Sequence, residues 1–160
     1  MNQNQNQNQN LKTLTLANTF VHTHDPDASL AFYRDVLGFE VRTDVTNGDF
    51  RWLTLATPTQ PELEIVLDMI TEGAMPMSEE DRAAMKDLLA KGLLTSLIFD
   101  IDDVDALFEH VRAAGAEVVQ EPADQFYGVR DCAVRDPAGN MVRFKSDLPA
   151  DRVPSGGWQE

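Results

Sequence analysis

His22 and His24 stand two residues apart in the run Phe20-Val21-His22-Thr23-His24. On an extended strand that spacing turns both imidazoles to one face. His-x-His is metal-ligand spacing, and Glu64 or Asp100 would complete a set of His22, His24, Glu64 and Asp100 for a divalent Zn, Fe, Mn or Ni ion. His22 has a second use that needs no metal, because an imidazole titrates near neutral pH and serves as general acid or base. Glu64 is the other candidate base. A structural reading competes with both: His22 as a polar pocket-lining residue, and His24 at the strand end beside a helix cap. Phe20, Trp52, Phe126 and Tyr127 are residue types that wall small-molecule pockets, and equally types that fill cores. Cys132 alternates with Arg130 and Val134, the setting of a small buried hydrophobe. Gly-rich phosphate loops, nucleophile elbows and paired catalytic carboxylates are absent.

These residues sit on a repeated frame. An offset of 77 carries Asp25 onto Asp102 and Gly38 onto Gly115, with a helical pattern between each pair. Asp25 reads as an N-cap with Pro26 at the first helical position, and Asp102 plays the same part in the second unit. Gly38 and Gly115 close the helices. Strands are expected over 16–23, 40–45, 50–56 and 62–68, then over 95–101, 117–120, 129–135 and 141–145. Asn47-Gly48 reads as a hairpin turn, and Asp136-Pro137-Ala138-Gly139-Asn140 as a type I turn. Each unit is therefore βαβββ. The expected layout is an Asn/Gln tail at 1–10, a first module at 11–68, a linker at 69–92, a second module at 93–147 and a tail at 148–160. In the linker, Ser78 begins a capping-box pattern, Gly92 ends a helix, and a Met-rich stretch over 69–77 precedes it. Those methionines fill a gap under a loop or line a pocket.

The chain has 160 residues, 42% hydrophobic and 25% charged, which is the composition of a globular protein. Its formal net charge of −14 argues against nucleic acid and anionic membranes as partners and suits a cationic ligand or simple solubility. One cysteine permits no internal disulfide. With no signal-peptide pattern and no apolar run long enough to span a membrane, a cytoplasmic location is expected.

The run Phe32-Tyr33, then Leu37-Gly38-Phe39, within the longer stretch 20–39, resembles the first-module signature of the vicinal oxygen chelate superfamily. That group contains glyoxalase I, bleomycin-resistance proteins and extradiol dioxygenases. Gly128-Val129-Arg130-Asp131 and the turn Asp136-Pro137-Ala138-Gly139-Asn140 look like the hairpin that closes its second module. The resemblance spans roughly 14–146. It implies an α+β fold, two βαβββ modules forming a cupped mixed sheet around a cavity.

Family members that use a divalent metal hold it with residues projecting into that cup. Matched to this pattern, the four positions are Asn18, Glu64, Ser96 and Arg143. Only Glu64 is a good ligand, and Arg143 would repel a cation. Strand alternation puts Asn18, Phe20 and His22 on one face, with Ser96, Ile98 and Asp100 on the corresponding face of the second module. The expected site is thus Asn18, Phe20, His22, Trp52, Glu64, Ser96, Asp100, Phe126, Tyr127 and Arg143, with Glu64 and Arg143 facing each other as a charge pair. The reading that follows is a small-molecule binder, for an aromatic or cationic ligand, with no metal cofactor. The alternative is a glyoxalase-like lyase or isomerase, or a dioxygenase, with an unorthodox ligand set. Members of the superfamily commonly pair, so a homodimer is expected.

Overall fold

The computed structural model describes residues 13–70 and 77–153. The expected Asn/Gln tail and all of the Met-rich stretch except Met69, Ile70 and Met77 lie outside them. β1 (Asn18–Thr23), β2 (Glu40–Asn47), β3 (Phe50–Thr57) and β4 (Gln60–Met69) form one sheet in the order β1-β4-β3-β2. β5 (Ser96–Asp100), β6 (Glu117–Asp124), β7 (Val129–Arg135) and β8 (Met141–Asp147) form the other in the order β5-β8-β7-β6. In each, the first strand runs parallel to the fourth, and the remaining pairs are antiparallel. The βαβββ repeat expected from the 77-residue offset is the observed topology.

The helix of the first module, α1 (Pro26–Leu30), starts at Asp25, whose side chain accepts the Ala28 N–H, and widens into a π-helical stretch at Ala31–Val36. In the second module α3 (Val104–Ala113) is capped by Asp103, which accepts from Ala106 N–H, and not by Asp102. A cap carboxylate must reach an N–H three residues on, and Asp103 is the residue at that distance, so the caps repeat at 78 while the closing glycines repeat at 77. The hairpin turn also moves by one residue. Asn47 pairs with Phe50, leaving Gly48-Asp49 as the loop, with Gly48 at φ 61°. Between the modules, α2 (Glu79–Ala90) begins at Ser78 as expected.

The repeat reaches the side chains. Arg51 on β3 pairs with Asp44 on β2 and Asp27 at the start of α1. Arg130 on β7 pairs with Asp124 on β6 and Asp105 at the start of α3. Both straps tie a hairpin to a helix start, and both are largely solvent-exposed on the acidic side, so they fix orientation more than they stabilise.

One hydrophobic core joins the modules. Val21, Leu53, Leu55, Ile65 and Leu67 from the first sheet, with Phe32, Tyr33 and Phe39, pack in the same cluster as Phe108, Val111, Cys132, Val134, Val142 and Phe144. A polar clasp crosses the same junction. The buried Asp136 accepts the N–H groups of Ala138, Gly139 and Asn140 on one oxygen, each at 2.9 Å, and the Tyr33 hydroxyl (3.0 Å) and Asn140 side-chain amide (2.9 Å) on the other. The Asn140 amide also donates to the His22 carbonyl at 2.8 Å. Burial first, then the neighbouring Asp136 carboxylate, push the Tyr33 hydroxyl well above its ordinary pKa, so it remains a donor. Gly139 is required twice over: its φ is 110°, and a Cβ there would lie 2.5 Å from the Leu89 carbonyl of α2.

The segment after β8, expected as a tail, is anchored through its described part. Leu148 N–H donates to the Gly128 carbonyl, and Arg152 pairs with Asp124. Among the described residues, no helix is long and apolar enough to cross a membrane.

Candidate binding site on two open faces

Both sheets spend their helix-bearing faces on the shared core, and their other faces carry exposed side chains such as Phe20 and Ile98 beside buried Thr54, Val66, Asp131 and Ala133. Alternation along β1 sends Val21 and Thr23 into the interior and presents Asn18, Phe20 and His22 on the opposite face, where Phe20 is 47% exposed. Asn18, Phe20 and His22 pair in register with Glu64, Val66 and Asp68 of β4. On β3, Thr54 pairs with Val66, and Trp52 lies on the same face two residues away. The Phe20 and Trp52 rings meet edge to face at 6.3 Å, and Phe50 stacks on Trp52 at 6.4 Å. His22 Nδ1 lies 3.3 Å from an Asp68 carboxylate oxygen. This first face therefore holds five of the expected site residues: Asn18, Phe20, His22, Trp52 and Glu64.

The other five, Ser96, Asp100, Phe126, Tyr127 and Arg143, belong to the second face. Ser96, Ile98 and Asp100 are exposed on β5, and Ile98 stands opposite Arg143. Phe126 and Tyr127 follow β6 and pack edge to face at 5.0 Å, both more than 40% exposed. At the centre lies Asp131 of β7, 1% exposed, which sequence reasoning did not single out. It accepts from Arg143 (2.6 Å), Gln120 (2.6 Å), Gln125 (2.8 Å) and the Tyr127 hydroxyl (3.1 Å). Burial acts to raise the Asp131 pKa, but the hydrogen bonds from Gln125, Gln120 and Arg143, and the Arg143 charge, outweigh it and hold the carboxyl below its usual range. The signal was present in the alternation. With Cys132 and Val134 in the core, Asp131 and Ala133 must share the Arg143 face, and an Asp inside an apolar central strand needs partners.

Several expectations change at this point. Asn18, Phe20, His22, Trp52 and Glu64 stand on the first sheet, and Ser96, Asp100, Arg143 and the Phe126–Tyr127 loop belong to the second. A cavity of about 560 Å³ lies at the junction of the modules, between α1 with its π-helical extension and the start of β6. Arg143 is paired with Asp131 on its own sheet, not with Glu64, which lies on the other sheet. β1 ends at Thr23, so His24 falls in a bend, exposed, and His-x-His spacing is not realised on a strand. Asp100 pairs with Lys145 at the surface of the second sheet, whereas His22 and Glu64 lie on the first. Among the described residues, no three His, Cys, Asp or Glu side chains group to hold a metal.

The ladder also places the four positions matched to the family's ligand pattern. Asn18 stands opposite Glu64, whereas Ser96 stands opposite Met141, and Arg143 is two residues further along. An amide, one carboxylate, a hydroxyl and a guanidinium already committed to a carboxylate do not fit a divalent transition metal. Cys132 is fully buried, and burial first, with the Asp131 charge adding, pushes its thiol up to about 11. A thiol-exchange reagent should label it at least about a hundredfold more slowly in the native protein than after unfolding. Rapid native labelling would show that the strand opens.

Two βαβββ modules with this topology define a class, and the sequence comparisons agree. The chain belongs to the Glyoxalase/Bleomycin resistance protein/Dioxygenase superfamily, whose model matches residues 15–144. It is 28% identical to the uncharacterized protein YurT of Bacillus subtilis over 79% of this chain and 94% of that one. It is 32% identical to the uncharacterized protein PA2024 of Pseudomonas aeruginosa over 81% and 86% of the two chains. Among solved structures, UcmS2 is 36% identical, with a TM-score of 0.74 over 82% of this chain and 97% of that one. TnmS3, an antibiotic binding protein from Streptomyces sp. CB03234, is 25% identical, with a TM-score of 0.62 over 86% and 97%.

Proposed function

We propose that the protein binds a small, flat, cationic aromatic molecule without a metal, gripping it between the first face of one copy and the second face of another. One observation carries this reading: the aromatic and hydrogen-bonding groups expected in a single cup are divided between two open faces of one chain. Aromatic pairs on each face suit a planar ligand. Glu64 on the first face and the net charge of −14 favour a cation. The antibiotic-binding neighbour TnmS3 lends the binding reading support from a related chain. A homodimer follows, because each site needs both faces, and exposed Phe20, Val45 and Ile98 supply apolar contact area for it. A reducing cytoplasmic setting suits the free Cys132.

The enzymatic alternative, a lyase, isomerase or dioxygenase, has less behind it. Its best support is His22, whose Nδ1 lies 3.3 Å from an Asp68 oxygen, so that a small ring rotation would make the hydrogen bond that orients a base. The test is sedimentation velocity combined with calorimetric titration of 9-aminoacridine, a tricyclic cation, at physiological salt. A homodimer that takes up one probe per chain, unaffected by chelator, is the expected result. A monomer at micromolar concentration, or probe binding that depends on a removable metal, would overturn the proposal.

A further inference from the structure

Buried polar groups almost always find partners, and those that do not need an explanation. Four described side-chain atoms are buried without a hydrogen bond: His22 Nδ1, Thr54 Oγ1, Asn140 Oδ1 and Arg82 Nε. Two of the four, His22 and Thr54, belong to the first open face, and Asn140 adjoins it by donating to the His22 carbonyl. His22 Nδ1 is within 3.3 Å of Asp68 yet not aligned for a hydrogen bond.

Thr54 is the least expected of these. The neighbouring Leu53 and Leu55 enter the shared core, so Thr54 points to the other face. The register aligns Phe20, Val66, Thr54 and Thr43 in one row across the sheet. Val66 and Thr54 are both under 3% exposed, and neither belongs to the core cluster. They form the floor of the first face, beside the Phe20 and Trp52 rings. If this residue served packing alone, a valine would fill the same volume with no hydroxyl to desolvate.

We infer that Thr54 is a ligand-contacting, affinity-determining residue, and that its hydroxyl is reserved for a polar group of the bound molecule. This deepens the proposed function and rests on it. A planar molecule that displaces the Trp52 ring from its edge-to-face contact would lie against Val66 and bring a ring substituent to Thr54. A hydroxyl both donates and accepts, whereas Glu64 only accepts. The ligand class is therefore a cationic heteroaromatic bearing N–H donors, with one donor for Glu64 and one for Thr54.

The isosteric variant Thr54→Val separates binding from packing. Calorimetric titration of wild type, T54V and Thr54→Ser with 9-aminoacridine is the test, with melting temperature recorded for each. We expect T54V to lose about five- to thirtyfold in affinity, the range of a single hydrogen bond to a neutral or charged partner. We expect its melting temperature to stay level or rise, since an unsatisfied hydroxyl is gone, and T54S to keep most of the affinity. Equal affinity in wild type and T54V would overturn the role of Thr54 while leaving the binding function standing. A wild-type protein that does not bind the probe would overturn both. A T54V variant that melts lower and loses no affinity would assign the residue to packing.

Discussion

Replacing Asp131 by alanine is expected to destabilise the protein by about 3–5 kcal/mol, because Arg143 is left as a part-buried charge without its counterion. Four donors converge on this carboxylate, from Arg143, Gln120, Gln125 and Tyr127, and Asp131 itself is 1% exposed. Arg143→Ala should cost less, about 1.5–3 kcal/mol, since three neutral donors still serve the carboxylate. The double variant should cost less than the two single losses together, by about 0.5–3 kcal/mol. Urea unfolding of the four proteins of this cycle is the measurement, and additive losses would mean that the pair is not coupled. The pH dependence has a definite sign. The folded Asp131 carboxyl is held below its usual range, so the folded state takes up a proton less readily than the unfolded chain. Its contribution is complete above the unfolded Asp range near ~3.9 and is lost as pH falls through the lower folded value. An Asp131→Asn variant should flatten that acid limb, and an unchanged limb would assign acid unfolding to other carboxylates. The same network holds Arg143 and Tyr127 in place, so the second face loses its order along with the stability.

Asp136→Ala is expected to be at least as costly, about 3–5 kcal/mol, and to loosen the contact between the modules. The residue satisfies three backbone N–H groups of its own turn together with the Tyr33 hydroxyl and the Asn140 amide, all at a site 4% exposed. Where that variant fails to fold, Tyr33→Phe carries the test, since it removes one bond between the modules and leaves the turn's own hydrogen bonds in place. It should cost about 1–2 kcal/mol. Hydrogen exchange should then rise at His22 and its neighbours in β1, whose carbonyl the Asn140 amide holds, more than in β2. A Tyr33→Phe protein with wild-type stability and exchange would show that the Tyr33–Asp136 bond adds nothing to the junction beyond the core and the Asn140–His22 bond. The turn that the sequence marks by its Pro and Gly is therefore also the clasp between modules. Nothing in the pentapeptide indicates this, because Tyr33 lies 103 residues away.

Local chemistry accounts for what could be read without a structure. The helix caps at Asp25 and Ser78, the closing glycines and the alternation in β1, β5 and β8 all depend on residues within a few positions of one another, and the recurrence of the helical pattern at an offset of 77 gives the βαβββ repeat. Alternation puts Asn18, Phe20 and His22, and in the second module Ser96, Ile98 and Asp100, on faces opposite the core, and Phe20 and Ile98 are 47% and 58% exposed. The errors by one residue, Asp102 for Asp103 and Asn47-Gly48 for Gly48-Asp49, are the scale at which neighbouring polar residues compete for one cap or one turn.

Which face meets which was a different kind of question. A strand pattern states that two faces exist, not whether the open face of one sheet turns toward that of the other. That is decided by how the helices and the Tyr33–Asp136 clasp pack between the sheets. Glu64 and Arg143 were paired by symmetry, but Arg143 had an acceptor on the adjacent strand, and a nearer carboxylate on the same sheet wins at 2.6 Å. The roles of Asp131 and Thr54 are likewise tertiary. Whether a buried carboxylate has four donors or a buried hydroxyl has none depends on side chains from several strands and an adjoining loop, and only the packed sheets bring those together.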